Sequence, residues 1–506
     1  MPAPISSEEQ TRTTHDLVAG ADPDRALDCL FVNAPLRDYG LRPRVNDYTL
    51  PVLGMGYIAT HAAAHGFNVG ILDAEAHGLG IRHTVDAVNA LRPRWAAFNL
   101  LAPTYELTAR IAAALDPAIA LMAGGHHAKA DPQRVLADPR FARLEALVIG
   151  EGETRVTALL GDVHRRRELP KVMWRDRLLS TTACGIPRRG DTARWLAPDI
   201  NALAVDRRFL TQDPYRAADG RIEANLVCSR GCPYECGFCG AAASMNPEVS
   251  IRTRAPEDVI AEMHRLDADF GCTAFRAVDD LFLGARRVIH PALDAFAAER
   301  VGERYVWDAT GRVNVLDRES DTVLERLRTN GLREVALGIE SGSARVLEAV
   351  DKRITPAMTL TVARRLLEKG IGVKGYFILG YPGETRDDAL ATLAHIRALW
   401  ALSDRLPGTF RASAFTFRPY PGSPVFADLV RQGWDPEALQ TYQDVDLTAH
   451  GADEAMRGRD EFNFATGQQF GHVPLTRLYD WLADISREQH HRNTAAAAAA
   501  RREVDA

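Results

Sequence analysis

Cys228-Ser-Arg-Gly-Cys-Pro-Tyr-Glu-Cys-Gly-Phe-Cys-Gly240 is the stretch whose reading decides this chain. Cys232, Cys236 and Cys239 stand four and three residues apart. Three thiolates so placed can hold three corners of a cubic 4Fe–4S cluster and leave the fourth iron open. A cluster that only relays electrons normally takes four cysteines. Given three, it keeps one iron for a substrate or cofactor. Zinc is the competing reading, with Cys228 as a fourth thiolate, but four-cysteine zinc sites usually pair two short hooks across a longer gap. Here all four lie in one loop after an apolar strand. Cys228 reads as a packing residue at the strand end, because a fourth ligand would close the open iron.

Outward from this loop the chain alternates between strand and helix. Strands are predicted to end near Val227, Val278, Asp308, Gly338, Leu379 and Phe417. That alternation predicts a partial (β/α)6 barrel over 222–425, with its site at the carboxyl ends of the strands. Upstream, Cys29-Leu-Phe-Val-Asn-Ala34, Phe67-Asn-Val-Gly-Ile-Leu-Asp73, Trp95–Leu100, Ile119–Gly124 and Ala146–Gly150 are short apolar runs with helical spacers. They predict a Rossmann-like α/β domain over 26–160, an open parallel sheet with ligand at the strand carboxyl ends. Residues 1–25 read as a flexible tail, 161–221 as a connector without sustained period, and 426–506 as a mainly helical region. The last ends in the alanine tract Thr494–Ala500, expected to be disordered.

A chain of 506 residues is too long for one core. Its formal charge of −6 provides no basic footprint, so nucleic acid is not an expected partner. No apolar run approaches the ~20 residues that span a bilayer, so a membrane is not expected either. The amino terminus lacks a basic region followed by an apolar stretch, which predicts no signal peptide and a cytoplasmic protein. Of the seven cysteines, Cys29, Cys184 and Cys272 are scattered, show no disulfide framework and read as small buried hydrophobes.

The spacing Cys232, Cys236, Cys239, with Phe238 before the last cysteine, resembles the radical S-adenosylmethionine superfamily. The Ser-Arg-Gly-Cys-Pro-Tyr lead-in is similar to its cobalamin-containing subgroup. The resemblance implies a 4Fe–4S cluster on the three cysteines, with S-adenosyl-L-methionine on the open iron and cleaved there to a 5′-deoxyadenosyl radical. It places Phe238, Asp279 and Asp280 of Val278-Asp-Asp-Leu-Phe-Leu283, and Gly338, Glu340 and Ser341 of Leu337-Gly-Ile-Glu-Ser-Gly-Ser343, around S-adenosylmethionine. Helix capping is the plainer role for one of the two aspartates. Tyr376–Glu384 and Phe417–Pro424 resemble later segments of the same pattern.

Residues 28–155 resemble the cobalamin-binding domain of this subgroup. The resemblance implies cobalamin contacts at Leu53, Gly54, Thr104, Tyr105, Gly124, Gly125, His127, Gly150 and Glu151. Glu75-Ala-His-Gly-Leu-Gly80 is close to a cobalt-ligating motif but follows the second strand where that motif follows the first. His77 is therefore read as part of a surface turn. His126 and His127 are read as structural, or near the cobalamin tail.

The resemblance further implies a radical enzyme that, with methylcobalamin, methylates an unactivated carbon of a small molecule of secondary-metabolite type, such as an antibiotic precursor. An electron donor such as flavodoxin or ferredoxin would reduce it. Radical dehydration, cyclisation, ring contraction or epimerisation on the same domain pair stays open, and no acid or base residue is assigned. Tyr442, Glu461-Phe-Asn-Phe-Ala-Thr466, Tyr479 and Trp481 are the substrate-facing candidates, with packing against the barrel the plainer role for the aromatics.

Overall fold

The computed structural model describes residues 14–41, 44, 49–161, 172–174, 199–217, 219–241, 252–445, 447–452 and 464–504. The chain divides into two compact units, Met1–Asp213 and Pro214–Ala506.

In the first unit, five apolar runs become parallel strands: β2 (Cys29–Asn33), β3 (Val69–Asp73), β4 (Trp95–Asn99), β5 (Ala120–Gly124) and β6 (Leu144–Val148). Their near-continuous hydrophobicity reflects burial on both faces. One face packs Leu30, Leu121 and Leu147 among the helices, the other packs Phe31, Ile71 and Met122. The spatial order is β3-β2-β4-β5-β6. The winding direction therefore reverses between β2 and β4, and open α/β sheets bind ligands outside the strand carboxyl ends at such a switch point.

Two expectations change here. The amino-terminal tail contributes β1 (Val18–Ala19), antiparallel to β3, because Gly70 has no side chain to keep Val18 away. The later part of the connector belongs to this unit's core: Phe209 is fully buried, and Arg207 pairs with Asp213 at 3.1 Å. Gly56 leaves room for Val205 and Leu210 against the helix Leu53–Ala64. β7 (Val172–Trp174) closes the far edge, antiparallel to β6. The remainder of the connector, Cys184 included, lies outside the described residues.

The second unit is built on six parallel strands: β9 (Ile222–Leu226), β12 (Cys272–Ala277), β13 (Val306–Gly311), β14 (Leu332–Glu340), β15 (Gly372–Leu379) and β16 (Phe410–Thr416). A short β8 (Tyr215–Arg216) runs antiparallel at the β9 edge. β8 and β16 end the sheet on opposite sides and do not pair, so the barrel is open. One face of the sheet carries Phe275, Trp307, Val335, Leu337, Val373 and Phe377 into the main core. The other carries charge in register: Arg276 beside Asp308, Asp308 beside Glu334, Lys374 beside Arg411. Arg411 binds both Glu334 oxygens at 2.7 Å. Helices between strands start on Ser320, Ser343, Thr355 and Thr385, whose side chains accept backbone N–H groups as caps.

Beyond the barrel a ribbon of β17 (Gln443–Asp444) and β18 (Phe464–Ala465) precedes one long helix, Leu475–Val504. Leu478, Trp481, Leu482 and Ile485 enter the main core. Gln489 ties the helix to Trp400 Nε1 and the Ala412 N–H, at 2.9 and 2.7 Å. The helix continues through the alanine tract expected to be disordered, which accords with alanine having the highest helix propensity.

Candidate active site

The cysteine loop leaves the carboxyl end of β9. Its entry is held by Asp279, which follows β12: one carboxylate oxygen accepts the N–H groups of Cys228 and Ser229 at 2.7 and 3.0 Å. The Cys228 carbonyl accepts the Arg254 N–H at 2.8 Å, and β10 (Ser229–Arg230) pairs with β11 (Arg252–Thr253). The entry to the loop is thereby clamped. Gly231 makes the turn into it at φ +91°. Cys228 is buried in the main core as a packing residue, and burial holds its thiol well above the usual range.

Cys232, Cys236 and Cys239 are near enough for the Cys236 thiol to act electrostatically on both others. Burial raises the Cys232 thiol, and the neighbouring Cys236 adds to this. Burial, with Cys236 and Cys232 nearby, pushes Cys239 up to about 11. Metal coordination holds such thiols as thiolates. Among the described residues no three His, Cys, Asp or Glu side chains converge as ligands of a single ion.

Asp279 and Asp280 part company. Asp280 is exposed. Asp279 is buried, its second oxygen has no hydrogen-bond partner, and burial raises its carboxyl to about 7. An orphaned buried acceptor beside the cysteine loop suits an ammonium group. Asp279 caps the strand end of the cysteine loop, not a helix.

At the end of β14, Glu340 sits at φ +64° and is ion-paired with Lys352 at 2.6 Å. A Cβ on Gly338 would lie 2.3 Å from Glu340 Oε1 and 2.5 Å from Lys352 Nζ, so the glycine makes room for this pair. Ser341 is fully buried, with its hydroxyl on Thr392 Oγ1 at 2.8 Å and the Ser343 N–H at 3.0 Å. The side chains of Glu340 and Ser341 thus have partners within the protein.

Two cations missed in the sequence reach the loop. Lys352 Nζ stands 5.7 Å from the Phe238 ring centre. Arg312, just past β13, places Nη1 3.5 Å from Cys236 Sγ and its guanidinium 3.6 Å from the Tyr234 ring centre. Only the basic character of these residues was visible in sequence.

Aromatic groups form an arc from the barrel interior. Tyr376 stacks with Phe415, Arg418 packs on Phe415 and Phe464, and Phe464 meets Tyr442 edge-on. Tyr442 and Phe464 were substrate-facing candidates; residues 461–463 lie outside the described residues. Trp481 is in the core and Tyr479 packs against it.

In the first unit, the residues singled out for cobalamin lie in the segments that follow strands. Leu53 and Gly54 open the helix after β2, Thr104 ends the turn after β4, Gly124 ends β5 and Gly125 follows it, and Gly150 and Glu151 follow β6. Gly54 is exposed, with nothing within 4 Å of where a Cβ would lie. Gly125, at φ +98°, has an internal reason to be glycine: a Cβ there would lie 2.3 Å from Asn99 Oδ1. Tyr105 and His127 are buried, their rings 4.7 Å apart, with Tyr105 hydrogen-bonded to Asp138 at 2.9 Å. His127 Nδ1 is buried without a hydrogen-bond partner, while its backbone N–H donates to the Leu100 carbonyl and its carbonyl accepts the Asp131 N–H. His77 stands in a turn braced by buried Glu75, which accepts the Leu36 N–H and the Tyr39 hydroxyl at 2.8 and 2.6 Å.

Comparison with known proteins agrees with this geometry. A family model described as the Radical SAM superfamily matches residues 226–396, and one described as the B12 binding domain matches residues 45–160. An uncharacterized methyltransferase of Pyrococcus horikoshii is 27% identical over 378 residues, covering 72% of this chain and 78% of its own. The cytidylyl-2-hydroxyethylphosphonate methyltransferase of Streptomyces wedmorensis is 27% identical over 437 residues, covering 76% and 79%. The fold matches the radical S-adenosylmethionine methyltransferase TsrM of Kitasatospora setae, solved with cobalamin and a 4Fe–4S cluster, at TM-score 0.57 and 16% identity over 81% of this chain and 75% of that one.

The fold and the two matched domains define a radical S-adenosylmethionine enzyme with an amino-terminal cobalamin-binding domain. One chain thus carries both a radical SAM and a B12 binding domain, and its cofactors are a 4Fe–4S cluster, S-adenosyl-L-methionine and cobalamin. No helix among the described residues is long and apolar enough to cross a membrane.

Proposed function

We propose that this protein methylates an unactivated carbon of a small molecule, of the kind assembled in secondary metabolism. The observation that carries the reading is one chain holding a three-thiol loop at the end of a barrel strand and a parallel sheet with a switch-point crevice. Relatives named as methyltransferases, which span about three quarters of the chain, support it. When bound, the cofactors supply the radical and the methyl group. A 2-(S-pantetheinyl)-carbapenam-3-carboxylate methyltransferase of Streptantibioticus cattleyicolor, 28% identical over 298 residues that make up 55% of this chain and 40% of its own, supports a small-molecule substrate.

The protein's part is to hold and orient. Cys232, Cys236 and Cys239 would hold the cluster. Phe238 would lie against S-adenosylmethionine, and the unpartnered oxygen of Asp279 would accept from its ammonium. Asp280 lies beside it as a second, exposed acceptor. The backbone around Gly338, Glu340 and Ser341 would line the same end of the sheet. Leu53, Gly54, Thr104, Tyr105, Gly124, Gly125, His127, Gly150 and Glu151 would meet cobalamin. The aromatic arc from Tyr376 to Tyr442 would shape the substrate space. The electron would come from a cytoplasmic flavodoxin or ferredoxin.

The test is anaerobic reconstitution of the full chain with iron, sulfide and cobalamin, followed by an ultraviolet–visible spectrum and product analysis. Bound cobalamin, together with 5′-deoxyadenosine and S-adenosylhomocysteine formed in step with a methylated product, supports the reading. 5′-Deoxyadenosine formed by a protein that retains no cobalamin would overturn it.

A further inference from the structure

Arg312 is 6% exposed, and each nitrogen of its guanidinium has a named acceptor. Nε donates to Asn314 Oδ1 at 2.9 Å, Nη2 to the Lys352 carbonyl at 2.7 Å, and Nη1 to Cys236 Sγ at 3.5 Å. Its flat face lies on Tyr234, 3.6 Å from the ring centre. The side chain therefore joins the end of β13, the turn at Lys352 and two residues of the cysteine loop. A guanidinium is a cationic, rigid planar fork of N–H donors. Held by two oxygens and a ring, this charge cannot swing away from the sulfur.

We propose that Arg312 is a positioning residue that fixes Cys236 and raises the reduction potential of the cluster it would ligate. The inference rests on the reading of Cys232, Cys236 and Cys239 as cluster ligands. Reduction moves one electron from a reduced donor to the cluster, with no proton and no bond to the protein made or broken. The added negative charge is stabilised by a fixed cation nearby, and more so in a buried, low-dielectric setting. Hydrogen bonds to cluster sulfurs shift the potential in the same way. Lys352 is already paired with Glu340, so its pair is close to neutral. Arg312 hydrogen-bonds no carboxylate: Asp351 acts on it only at longer range and is itself ion-paired with Arg353 at 2.9 Å, so Arg312 is the cation in hydrogen-bond contact with the Cys236 sulfur.

The experiment uses the full chain, reconstituted anaerobically, as wild type, Arg312→Gln and Arg312→Lys. Iron per chain and visible absorption report the cluster, circular dichroism reports the fold, and an electron-paramagnetic-resonance redox titration with dithionite reports the midpoint. Arg312→Gln is expected to keep its iron and become at least tenfold harder to reduce, about 59 mV for one electron. Arg312→Lys, which keeps the charge, is expected to recover most of that shift. If Arg312→Gln loses iron, retained iron and a near-wild-type midpoint in Arg312→Lys still support the proposal. An unchanged midpoint in a fully loaded Arg312→Gln overturns it, and so does any other pattern in the two variants. A wild-type protein that takes up no cluster fails the cysteine reading itself, and iron analysis separates that result from the others.

Discussion

Lys352 Nζ lies 2.6 Å from Glu340 Oε1, and the pair occupies the space that a side chain at position 338 would need. Both members are buried, and Glu340 is held in the left-handed region to make the contact. Breaking a buried ion pair from one side leaves an uncompensated charge, which typically costs about 3–5 kcal/mol. Lys352→Met is expected to lower stability by that order. Lys352→Met with Glu340→Gln is expected to recover a large part of it, since no lone charge remains. Denaturant unfolding of the metal-free proteins checks this; equal losses in the single and double variants would show that the charge is not what matters.

The strand ends around this pair were legible in the sequence, and the pair was not. Buried parallel strands are apolar runs that stop at glycines and acids, so β9, β12 and β15 could be bounded to within a residue or two. Gly338 and Glu340 also stood out, but as contacts to a cofactor. That Lys352 turns back onto Glu340, and that Arg312 crosses to Cys236, depends on loops brought together only by the completed sheet. No local period encodes such contacts. The connector was illegible for a related reason: Phe209 fills a core from an aperiodic segment rich in Arg and Asp, where no local pattern marks a buried ring.

Glu384 provides a pH test. Its side chain is buried, one oxygen accepts the Gly380 N–H at 2.5 Å, and the other has no partner. Burial chiefly, with Asp388 adding to it and Arg345 opposing it, pushes the carboxyl up to about 7. The folded state therefore binds this proton more tightly than the unfolded chain. The stabilisation is complete below the unfolded value near 4.5 and is lost as pH rises through about 7. Glu384→Gln keeps a neutral acceptor and should remove that dependence. Between pH 6 and 8 the wild-type Tm is expected to fall more than the variant's. Parallel Tm curves would exclude Glu384 as the source.

Phe209→Ala tests where the first unit ends. The ring is fully buried in the core formed by β2, β3, β4 and the helix Leu53–Ala64. Emptying such a site typically costs about 3–5 kcal/mol. Hydrogen exchange of the full chain should show faster opening of β2–β6, with β12–β15 little changed. Unchanged protection of β2–β6 would mean that the connector is not part of that core.

Gly54 separates a glycine kept for a ligand from one kept for the fold. It lies in the first turn of the helix Leu53–Ala64, exposed, with no atom within 4 Å of where a Cβ would be. Nothing inside the unit requires glycine there, and glycine in a helix costs about 1 kcal/mol against alanine. Gly54→Ala should therefore fold at least as well as wild type. If cobalamin lies against this turn, the indole of Gly54→Trp occupies its space, and bound cobalamin per chain should drop at least tenfold by visible absorption. Ala90→Trp, at an exposed position of the helix Ile81–Leu91, is the control and should retain cobalamin. Full cobalamin in a folded Gly54→Trp would move the corrin away from this turn and return Gly54 to the solvent face.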